Sequence, residues 1–328
     1  MVATLTSPAA APQTEAAEPS DPAGATAVAL AQLAPRLGDV PTNLERHLAV
    51  AAEAVAHGAG MVVFPELSLT GYFLKDLTPE VALRRDAPEL AALAARSLDI
   101  DILAGCVLET DDLRFHNAAL LFGGGRLKHV HHKVYLPTYG IFDEQRYLAA
   151  GDRFRSVELA AGGAATPWRA GVLICEDMWH PSAAAVLARH GVDLLFCPSS
   201  SPGRGVTQGG ALGTAHSYDA ITRTYAQLFT AYVVYCNRVG YEDGIGFWGG
   251  SRVVAPDGSI VGEAAGAGEE LIYHRLERGA LRRARIAYPL LRDERNDVTD
   301  SETDRIRHRG RDVIDPAIEH TRHRRARD

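Results

Sequence analysis

The chain of 328 residues has few cysteines and no long apolar segment. No run of about 18 or more apolar residues occurs, and the N-terminus has neither a charged nor an apolar signal region, so we expect neither a membrane span nor a signal peptide. The four cysteines show no CxxC pairing, which argues against a zinc site and gives no reason to expect disulfides. These absences predict a soluble, cytoplasmic protein.

The charge of the chain also excludes one class of function. A net charge of -7 argues against a nucleic-acid-binding surface over the body of the chain. After Pro289 the sequence becomes rich in arginine, with acidic residues interspersed up to the last residue. RNA or an acidic partner could bind such a segment, but we favour a solvated or subunit-wrapping arm.

The apolar content, 46%, is enough for a sizeable core. Residues 1–25 are mostly Ala, Pro, Ser, Thr and Glu, which predicts a disordered N-terminal tail. Between 26 and 290 strand-like apolar runs alternate with helix-like segments, and this alternation predicts one layered α/β domain. Residues 291–328 then form the charged C-terminal arm.

Some boundaries can be predicted from local signals. Thr42-Asn-Leu-Glu45 fits a capping box that opens a helix ending at Gly58. A second helix is expected from Pro79 to about Ser97, because proline is favoured at the first helical position. The glycines at 123–125 are expected to join two strands as a hairpin.

The segment Val172-Leu-Ile-Cys175-Glu-Asp-Met-Trp-His180 indicates a reactive cysteine. Val172 to Ile174 is expected to form a short buried strand, after which the chain turns into a helix near Pro181. This arrangement resembles a nucleophile elbow, in which the residue after the strand lies at the edge of the sheet. The alternative is structural, since free cysteine is often a small buried apolar residue. Cys106, Cys197 and Cys236 have that simpler interpretation.

Two other charged residues follow apolar strands. Glu66 comes after Met61 to Phe64, and Lys133 comes after Arg126 to His132. Strand ends gather at one edge of a layered α/β fold, so Glu66, Lys133 and Cys175 could converge there. The alternative is an ordinary ion pair between Glu66 and Lys133.

Such a trio suits thiol chemistry. A thiol with a pKa of about 8.5 is mostly protonated at neutral pH and needs a base or a nearby cation. Glu66 can accept the proton. The ammonium of Lys133 can favour the thiolate and then stabilise the oxyanion that forms when sulfur attacks a carbonyl.

Taken together, the three segments resemble a known family. Phe64-Pro-Glu66-Leu-Ser-Leu-Thr-Gly-Tyr72, His131-His-Lys133-Val-Tyr-Leu-Pro137 and Leu173-Ile-Cys175-Glu-Asp-Met-Trp179 are similar to the three catalytic blocks of the nitrilase, or carbon–nitrogen hydrolase, superfamily. Their order is also the same. The resemblance covers residues 26 to 290 and implies a four-layer α-β-β-α sandwich, no metal, no cofactor and hydrolysis through a thioester.

The resemblance also implies a role for each residue. Cys175 would be the nucleophile, Glu66 the general base, and Lys133 the oxyanion stabiliser, helped by the backbone N–H of Glu176. A second glutamate often follows the lysine block in this family. Glu144 is the candidate here; it would bond to Lys133 and position the substrate amide.

The motifs around Glu66 and between Leu136 and Tyr147 are most similar to the glutaminase domain of glutamine-dependent NAD synthetase. That domain supplies ammonia to a fused synthetase. This chain, which ends at Asp328, shows no glycine-rich ATP loop, so we expect either a stand-alone amidase or an ammonia supplier to a separate synthetase. Homodimers or larger assemblies are usual in the family.

Four residues are candidates for substrate contacts. Tyr139 and Glu176 are suggested by the same resemblance, and Ser200 and Arg204 lie in a Pro-Ser-Gly-rich loop that follows a strand. A plain turn is an equal alternative for that loop.

Metal and phosphate sites are not favoured. His129 and His131 lie on one face of a predicted strand, but a third ligand block is lacking. The glycine cluster at 208–213 lacks the phosphate-loop pattern.

The sequence therefore predicts a thiol amidase that cleaves a carboxamide or ureido C–N bond and releases ammonia. The alternatives are an ammonia-supplying glutaminase, a regulatory subunit acting with a synthetase, and a nitrilase.

Overall fold

A computed structural model describes residues 25–161, 163, 166–205 and 212–312. The disordered tail predicted for residues 1–25 lies outside these ranges except for Ala25, as do residues 313–328 of the predicted arm and most of the glycine cluster at 208–213. The described residues fall into two compact units, which are divided between Tyr288 and Pro289. All functional residues discussed below belong to the first unit.

The strands are β1 (Ala25–Gln32), β2 (Met61–Val63), β3 (Asp101–Glu109), β4 (Phe115–Gly123), β5 (Arg126–His132), β6 (Ser156–Leu159), β7 (Trp168–Val172), β8 (Leu194–Ser199), β9 (Tyr232–Asn237), β10 (Val239–Glu242), β11 (Ile245–Trp248), β12 (Arg252–Val254), β13 (Ile260–Glu263) and β14 (Glu270–Glu277). The helices are α1 (Val40–Ala56), α2 (Thr78–Val81), α3 (Pro88–Arg96), α4 (Pro181–Arg189), α5 (Gly213–Leu228), α6 (Arg278–Ala287), α7 (Leu290–Asp293) and α8 (Asn296–Asp312).

Twelve of these strands form two six-stranded sheets. The first sheet has the order β14-β1-β2-β3-β4-β5 and the second has the order β13-β12-β9-β8-β7-β6. In the first sheet β1, β2 and β3 are parallel, and in the second β7, β8 and β9 are parallel. The parallel strands are short, continuous apolar runs buried on both faces, as expected where helices cover a sheet. Strands β10 and β11 form a separate hairpin.

Three apolar cores fix the order of the layers. One core lies between the sheets and contains Val63 and Leu121 from the first sheet and Val172 and Phe196 from the second. A second core packs α1 and α3 on the outer face of the first sheet. A third packs α4 and α5 on the outer face of the second sheet. The predicted four-layer α-β-β-α sandwich is therefore confirmed.

Three predicted boundaries are wrong. Helix α1 begins at Val40 because Asp39 is its N-cap and accepts a bond from the N–H of Thr42 at 3.2 Å, so Thr42 does not open a capping box. The strand expected at 172–174 is β7, which ends at Val172 and begins at Trp168.

The third error is the single helix expected from Pro79 to Ser97, which is two helices with an extended break. At the break Leu83 pairs with Leu108 of β3, and its N–H bonds to the carbonyl of Val107 at 2.9 Å. Pro88 then opens α3, and the residue before a proline is disfavoured in a helix. Edge pairing and proline together override the local helical propensity.

Candidate active site

Cys175 occupies a strained position three residues after the end of β7. Its φ is +46°, a left-handed conformation that non-glycine residues rarely adopt. It begins a 3-10 turn, Cys175–Trp179, and α4 starts at Pro181. Strain of this kind is typical of residues that the surrounding structure holds for function, as in a nucleophile elbow. The predicted strand-to-helix elbow is present, and the thiol is almost fully buried.

Glu66, Lys133 and Glu144 form one buried cluster. The ammonium of Lys133 donates to Glu66 Oε1 at 2.8 Å and to Glu144 Oε1 at 2.7 Å. All three residues are buried. The sequence prediction that Glu144 would bond to Lys133 therefore agrees with the observed contact, whereas its neighbour Asp143 is exposed and lies 4.0 Å from Arg146.

The carboxylate of Glu66 is held from several directions. Asn117 on β4 donates its side-chain N–H to Glu66 Oε1 at 2.7 Å, the oxygen that also contacts Lys133. The backbone N–H of Ser200 donates to Glu66 Oε2 at 2.6 Å, and the Ser200 hydroxyl donates to the Glu66 carbonyl at 3.0 Å. Ser200 thus lies in the site, but its contacts hold Glu66, which favours a positioning role over the predicted substrate contact.

Glu144 has one occupied and one unoccupied carboxylate oxygen. The hydroxyl of Tyr72 donates to Oε1, the oxygen that Lys133 also contacts, while Oε2 is buried without a partner among the described residues. Burial raises the pKa of Glu144 to about 7, with Lys133 opposing the shift and the charge of Glu66 adding to it. A carboxyl that titrates near neutrality and has a free oxygen can exchange a hydrogen bond with a substrate amide.

The charges around Lys133 also act on the thiol. Burial opposes the charged form of Lys133, but Glu144 and Glu66 outweigh it and hold the pKa of Lys133 well above its usual value. Burial raises the pKa of the Cys175 thiol, as does the Glu66 carboxylate, whereas Lys133 and a hydrogen bond with Tyr218 lower it. The thiol therefore needs Lys133 and a proton acceptor to become a nucleophile.

Asp177, two residues after Cys175, joins the cysteine and lysine segments. Its carboxylate is fully buried. One oxygen, Oδ2, accepts a hydrogen bond at 3.0 Å from the N–H of Ile174, the residue before Cys175. The other oxygen accepts from the N–H groups of Val134 and Tyr135, at 3.0 and 2.9 Å, which follow Lys133. These bonds fix the Lys133 segment, after β5, relative to the Cys175 segment, after β7.

His131 completes the hydrogen bonds of Asp177, with Nε2 lying 2.8 Å from Asp177 Oδ2. Among the described residues, no group of three or more His, Cys, Asp or Glu side chains could hold a metal ion. The histidine considered above as a metal ligand instead contacts the carboxylate that orders the site.

Charged and aromatic residues lie at the partly exposed rim beside the thiol. The Tyr139 hydroxyl donates to Glu176 Oε2 at 2.8 Å. The Arg204 guanidinium lies over the Phe142 ring, 5.5 Å from its centre, and so close to Gly140 that a side chain there would collide with it. Gly140 also has a φ of +66°, so the turn requires glycine. The Tyr139–Glu176 bond and the position of Arg204 against Gly140 bring the predicted contacts Tyr139, Glu176 and Arg204 together, and Glu176 directly follows Cys175 in the chain.

Replacing Glu144 with glutamine is expected to change how stability depends on pH. The pKa of Glu144 is about 7 in the folded chain, against an ordinary value of 4.5. The folded state therefore holds this proton more tightly, and that stabilisation, complete below pH 4.5, is lost as the pH rises through 7. The free energy of unfolding of the wild type minus that of the variant, measured by chemical denaturation, should fall across this window by up to about 1.4 kcal/mol per pH unit.

Glu80→Gln, at an exposed position on α2, is the matched control. An unchanged difference between pH 5 and pH 8 would contradict the assignment.

Several residues of this site were not found from the sequence. Tyr72 and Asp177 lie inside the motifs quoted above, but no local signal indicates their roles, and neither Asn117 nor Tyr218 belongs to any of these motifs. The one signal for Asn117 is a polar residue in the apolar run of β4. Tyr218 lies on α5, far along the chain from the elbow, and its place in the site could be seen only in three dimensions.

With the geometry established, comparison with known proteins identifies the family. Residues 27–286 match the family model for carbon-nitrogen hydrolases. The chain belongs to this family, the nitrilase superfamily, as its two sheets and its cysteine elbow suggest.

The relatives fall into long and short proteins. The glutamine-dependent NAD(+) synthetase of Acinetobacter baylyi is 31% identical over 247 residues, which cover 75% of this chain and 43% of the relative. The chain thus spans less than half the length of this relative. A Pseudomonas protegens protein named hydrolase in pqqF 5'region is 32% identical, with 83% of this chain and 90% of the relative covered.

A solved structure confirms the fold. Saccharomyces cerevisiae Nit3, described as a member of branch 10 of the nitrilase superfamily, is 26% identical and superimposes with a TM-score of 0.70. The match covers 81% of this chain and 95% of Nit3.

In the part of the chain that the structure describes, no helix is both long and apolar enough to cross a membrane.

Proposed function

We propose that this chain is a thiol amidase that hydrolyses a carboxamide and releases ammonia through a thioester on Cys175. The observation that carries the proposal is the buried ammonium of Lys133, held by Glu66 and Glu144, together with a cysteine at a strained elbow whose thiol pKa responds to the charges of Glu66 and Lys133. An ordinary structural ion pair would account for the contact between Lys133 and Glu66. It would not explain a third titratable group beside them or a nucleophile in a left-handed conformation.

Each catalytic step can be assigned to a residue of the cluster. Glu66 accepts the proton of the Cys175 thiol while sulfur bonds to the carbonyl carbon, and the electron pair of the C=O bond moves to oxygen. Lys133 stabilises that oxyanion. When the oxyanion collapses, the C–N bond breaks and Glu66 returns the proton to nitrogen, so ammonia leaves. Glu66 then takes a proton from water, hydroxide attacks the thioester carbonyl, and the thiolate leaves and regains its proton.

The charged residues at the rim indicate which substrate the site would bind. Glu176 carries a carboxylate, Arg204 a guanidinium, and both are partly exposed beside Tyr139. A carboxylate and a guanidinium together suit a substrate with an ammonium and a carboxylate, such as the α-carbon end of glutamine. The similarity to glutamine-dependent synthetases supports the same substrate class.

The experiment that tests the function is ammonia release from a panel of compounds at matched concentrations. The panel contains glutamine, asparagine, butyramide, a carbamoyl amine and a nitrile, with Cys175→Ala protein from the same purification as the blank. Amide turnover above the blank supports the proposal. Turnover of the nitrile alone would make the protein a nitrilase, and no turnover of any compound would overturn the amidase proposal.

Glu176→Gln is expected to weaken glutamine recognition selectively. Removal of a charge that faces the substrate ammonium should raise the KM for glutamine about tenfold or more, because a hydrogen bond between charged groups is lost. The KM for butyramide, which has no ammonium, should change by less than about threefold. Steady-state kinetics with both substrates measures the two effects.

The control for this comparison is Glu45→Gln, at an exposed position on α1. It removes the same charge from the protein and should leave both KM values unchanged. An equal rise in KM for glutamine and butyramide would show that Glu176 shapes the site in general and does not recognise the substrate ammonium.

A second candidate function is ammonia supply to a separate synthetase. It is favoured by relatives such as the Thermotoga maritima glutamine-dependent NAD(+) synthetase, which is 34% identical and of which this chain covers 41%. A glutaminase in such a pair should turn over slowly alone and faster with its acceptor. Glutamine hydrolysis measured with and without a synthetase that copurifies with the chain would separate this role from that of a stand-alone amidase.

A further inference from the structure

Tyr218 contacts the atom that would react. Its hydroxyl oxygen lies 3.3 Å from the sulfur of Cys175, within the distance of a hydrogen bond to sulfur. The residue comes from α5 on the outer face of the second sheet and is 2% exposed. Helix α5 lies outside the three sequence motifs that contain Glu66, Lys133 and Cys175, so the contact arises only when the chain folds.

The ring of Tyr218 is fixed by its neighbours. It meets Trp179 edge-on with 5.5 Å between ring centres, and it packs against Tyr235 at 4.6 Å. Trp179 closes the 3-10 turn that begins at Cys175, so the same turn that carries the sulfur also orients the tyrosine. The hydroxyl therefore has little freedom to leave the sulfur.

The state of the thiol decides which group donates. With a protonated thiol either atom can donate the hydrogen. Once Glu66 has taken the thiol proton, the sulfur is negative and only the tyrosine O–H can donate, and hydrogen bonds to charged acceptors are the stronger ones. The contact thus stabilises the thiolate more than the thiol.

Several titratable or charged groups act on this sulfur from the elements packed around it. They are Glu66 and Tyr72 after β2, Lys133 and Tyr139 after β5, Cys197 on β8, Tyr218 on α5 and Tyr235 on β9. The pKa of Tyr235 is raised well above its usual value, so its phenol stays neutral, adds no charge near the sulfur and serves as a control. Among them Glu66 disfavours the thiolate, whereas Lys133 and Tyr218 favour it. Burial and the nearby sulfur charge raise the pKa of Tyr218 well above its usual value, so the phenol keeps its proton and remains a donor.

We propose that Tyr218 is a fourth catalytic residue, which donates a hydrogen bond to the Cys175 sulfur whenever that sulfur is a thiolate. The inference rests on the proposed function for its role in turnover. Tyr218 acts before sulfur attacks the amide and again when the thiolate leaves the second tetrahedral intermediate. It transfers no proton, because the thiol proton goes to Glu66 and the phenol remains protonated throughout.

The test measures the thiol itself, without an amide substrate. Iodoacetate, which contains no amide, forms an S–C bond with the thiolate and releases iodide, so its rate against pH reports the pKa of the thiol. Peptide mass spectrometry assigns the modification to Cys175, as distinct from the buried Cys106, Cys197 and Cys236. The measurement is made on the full chain of the wild type, Tyr218→Phe and Tyr235→Phe.

Tyr218→Phe keeps the ring that packs against Trp179 and Tyr235 and removes only the hydroxyl. We expect its alkylation profile to shift upward by about one pH unit, which is about a tenfold slower reaction below the midpoint. With a substrate from the panel, kcat should fall about tenfold at neutral pH with little change in KM. Tyr235→Phe, which removes a hydroxyl from the neighbouring ring, should leave the alkylation profile of the wild type unchanged.

A further variant protects the test if Tyr218→Phe is poorly folded. Site-specific 3-fluorotyrosine at 218 keeps the ring and hydroxyl but makes the O–H more acidic and a better donor, so the alkylation profile should shift downward. Opposite shifts for phenylalanine and fluorotyrosine support the proposal. An unshifted profile in a folded Tyr218→Phe protein, or an equal shift in Tyr235→Phe, would overturn it.

The two proposals can fail separately. If the wild type releases no ammonia but Tyr218→Phe shifts the alkylation profile, the amidase function fails and the thiolate contact stands. If Cys175→Ala abolishes turnover while Tyr218→Phe alters neither the alkylation profile nor kcat, the amidase stands and the role of Tyr218 fails. A rise in KM alone would make Tyr218 a substrate contact and would also overturn the proposal.

Discussion

Cys175→Ala is expected to reduce ammonia release to the background rate, a loss of at least about 10⁴-fold. Without the sulfur no thioester can form, and the carboxylate of Glu66 would have to activate water directly against an amide. The fold should be retained, because the substitution removes only the sulfur atom of a nearly buried side chain and keeps its Cβ. Ammonia assays at substrate saturation measure the loss, and rapid quenching followed by mass spectrometry should find an acyl group on Cys175 only in the wild type.

The matched control for this prediction is Cys106→Ala. Cys106 lies on β3 in the core between the first sheet and its helices, and it is as completely buried as a side chain can be. Its replacement should create a small cavity, which lowers stability slightly, and should leave kcat unchanged. Turnover by Cys175→Ala above a few per cent of the wild-type rate would exclude the thioester mechanism.

Lys133→Ala should produce the second large loss, in both activity and stability. The oxyanion would lose its cation, which is expected to lower kcat by at least about 10³-fold. Glu66 and Glu144 would also remain buried without the ammonium that lies between them. Breaking a buried ion pair in this way destabilises a protein by about 3 to 5 kcal/mol.

The stability loss should depend on pH in a way that identifies its cause. With the ammonium gone, protonation of one carboxylate removes part of the repulsion, so the deficit should be smaller at pH 5 than at pH 8. Lys133→Met, which restores volume without charge, should behave in the same way. Lys128→Ala is the control, since Lys128 lies on β5, the strand that precedes Lys133, and pairs with Asp101 at 3.5 Å outside the site. Near-normal turnover in a folded Lys133→Ala protein would remove the proposed mechanism.

The sequence predicted the layered fold and the cluster better than it predicted local boundaries. Short apolar runs that end in Glu66, Lys133 and Cys175 pointed to one edge of a layered fold, because the side chains that follow neighbouring strands meet there. The sequence could not show that α2 and α3 are separate, because the pairing of Leu83 with β3 is a tertiary contact. The sequence does not predict hairpin β10-β11 or strand β6, because these strands have four residues each and are too short for a clear pattern, nor strand β14, whose partner β1 is distant in the chain.

The substrate side of the site was harder to predict than the catalytic side. Tyr139, Glu176 and Arg204 could be named from similarity and loop composition, and the structure brings them together. Ser200 was assigned to the substrate because loop residues often face a pocket. Its backbone N–H and hydroxyl are directed at Glu66, an orientation that depends on how β8 meets the first sheet and that no local pattern encodes.

The bonds of Asp177 connect the two sheets at the active site. Lys133 follows a strand of one sheet and Cys175 follows a strand of the other, so the spacing of the sheets sets the distance between the ammonium of Lys133 and the sulfur of Cys175. Residues such as Leu121 and Phe196, which fill the space between the sheets, therefore help to set the distance between Lys133 and Cys175. A change of volume in that remote core alters catalytic alignment as well as stability, so mutational tolerance there is limited by chemistry as much as by folding.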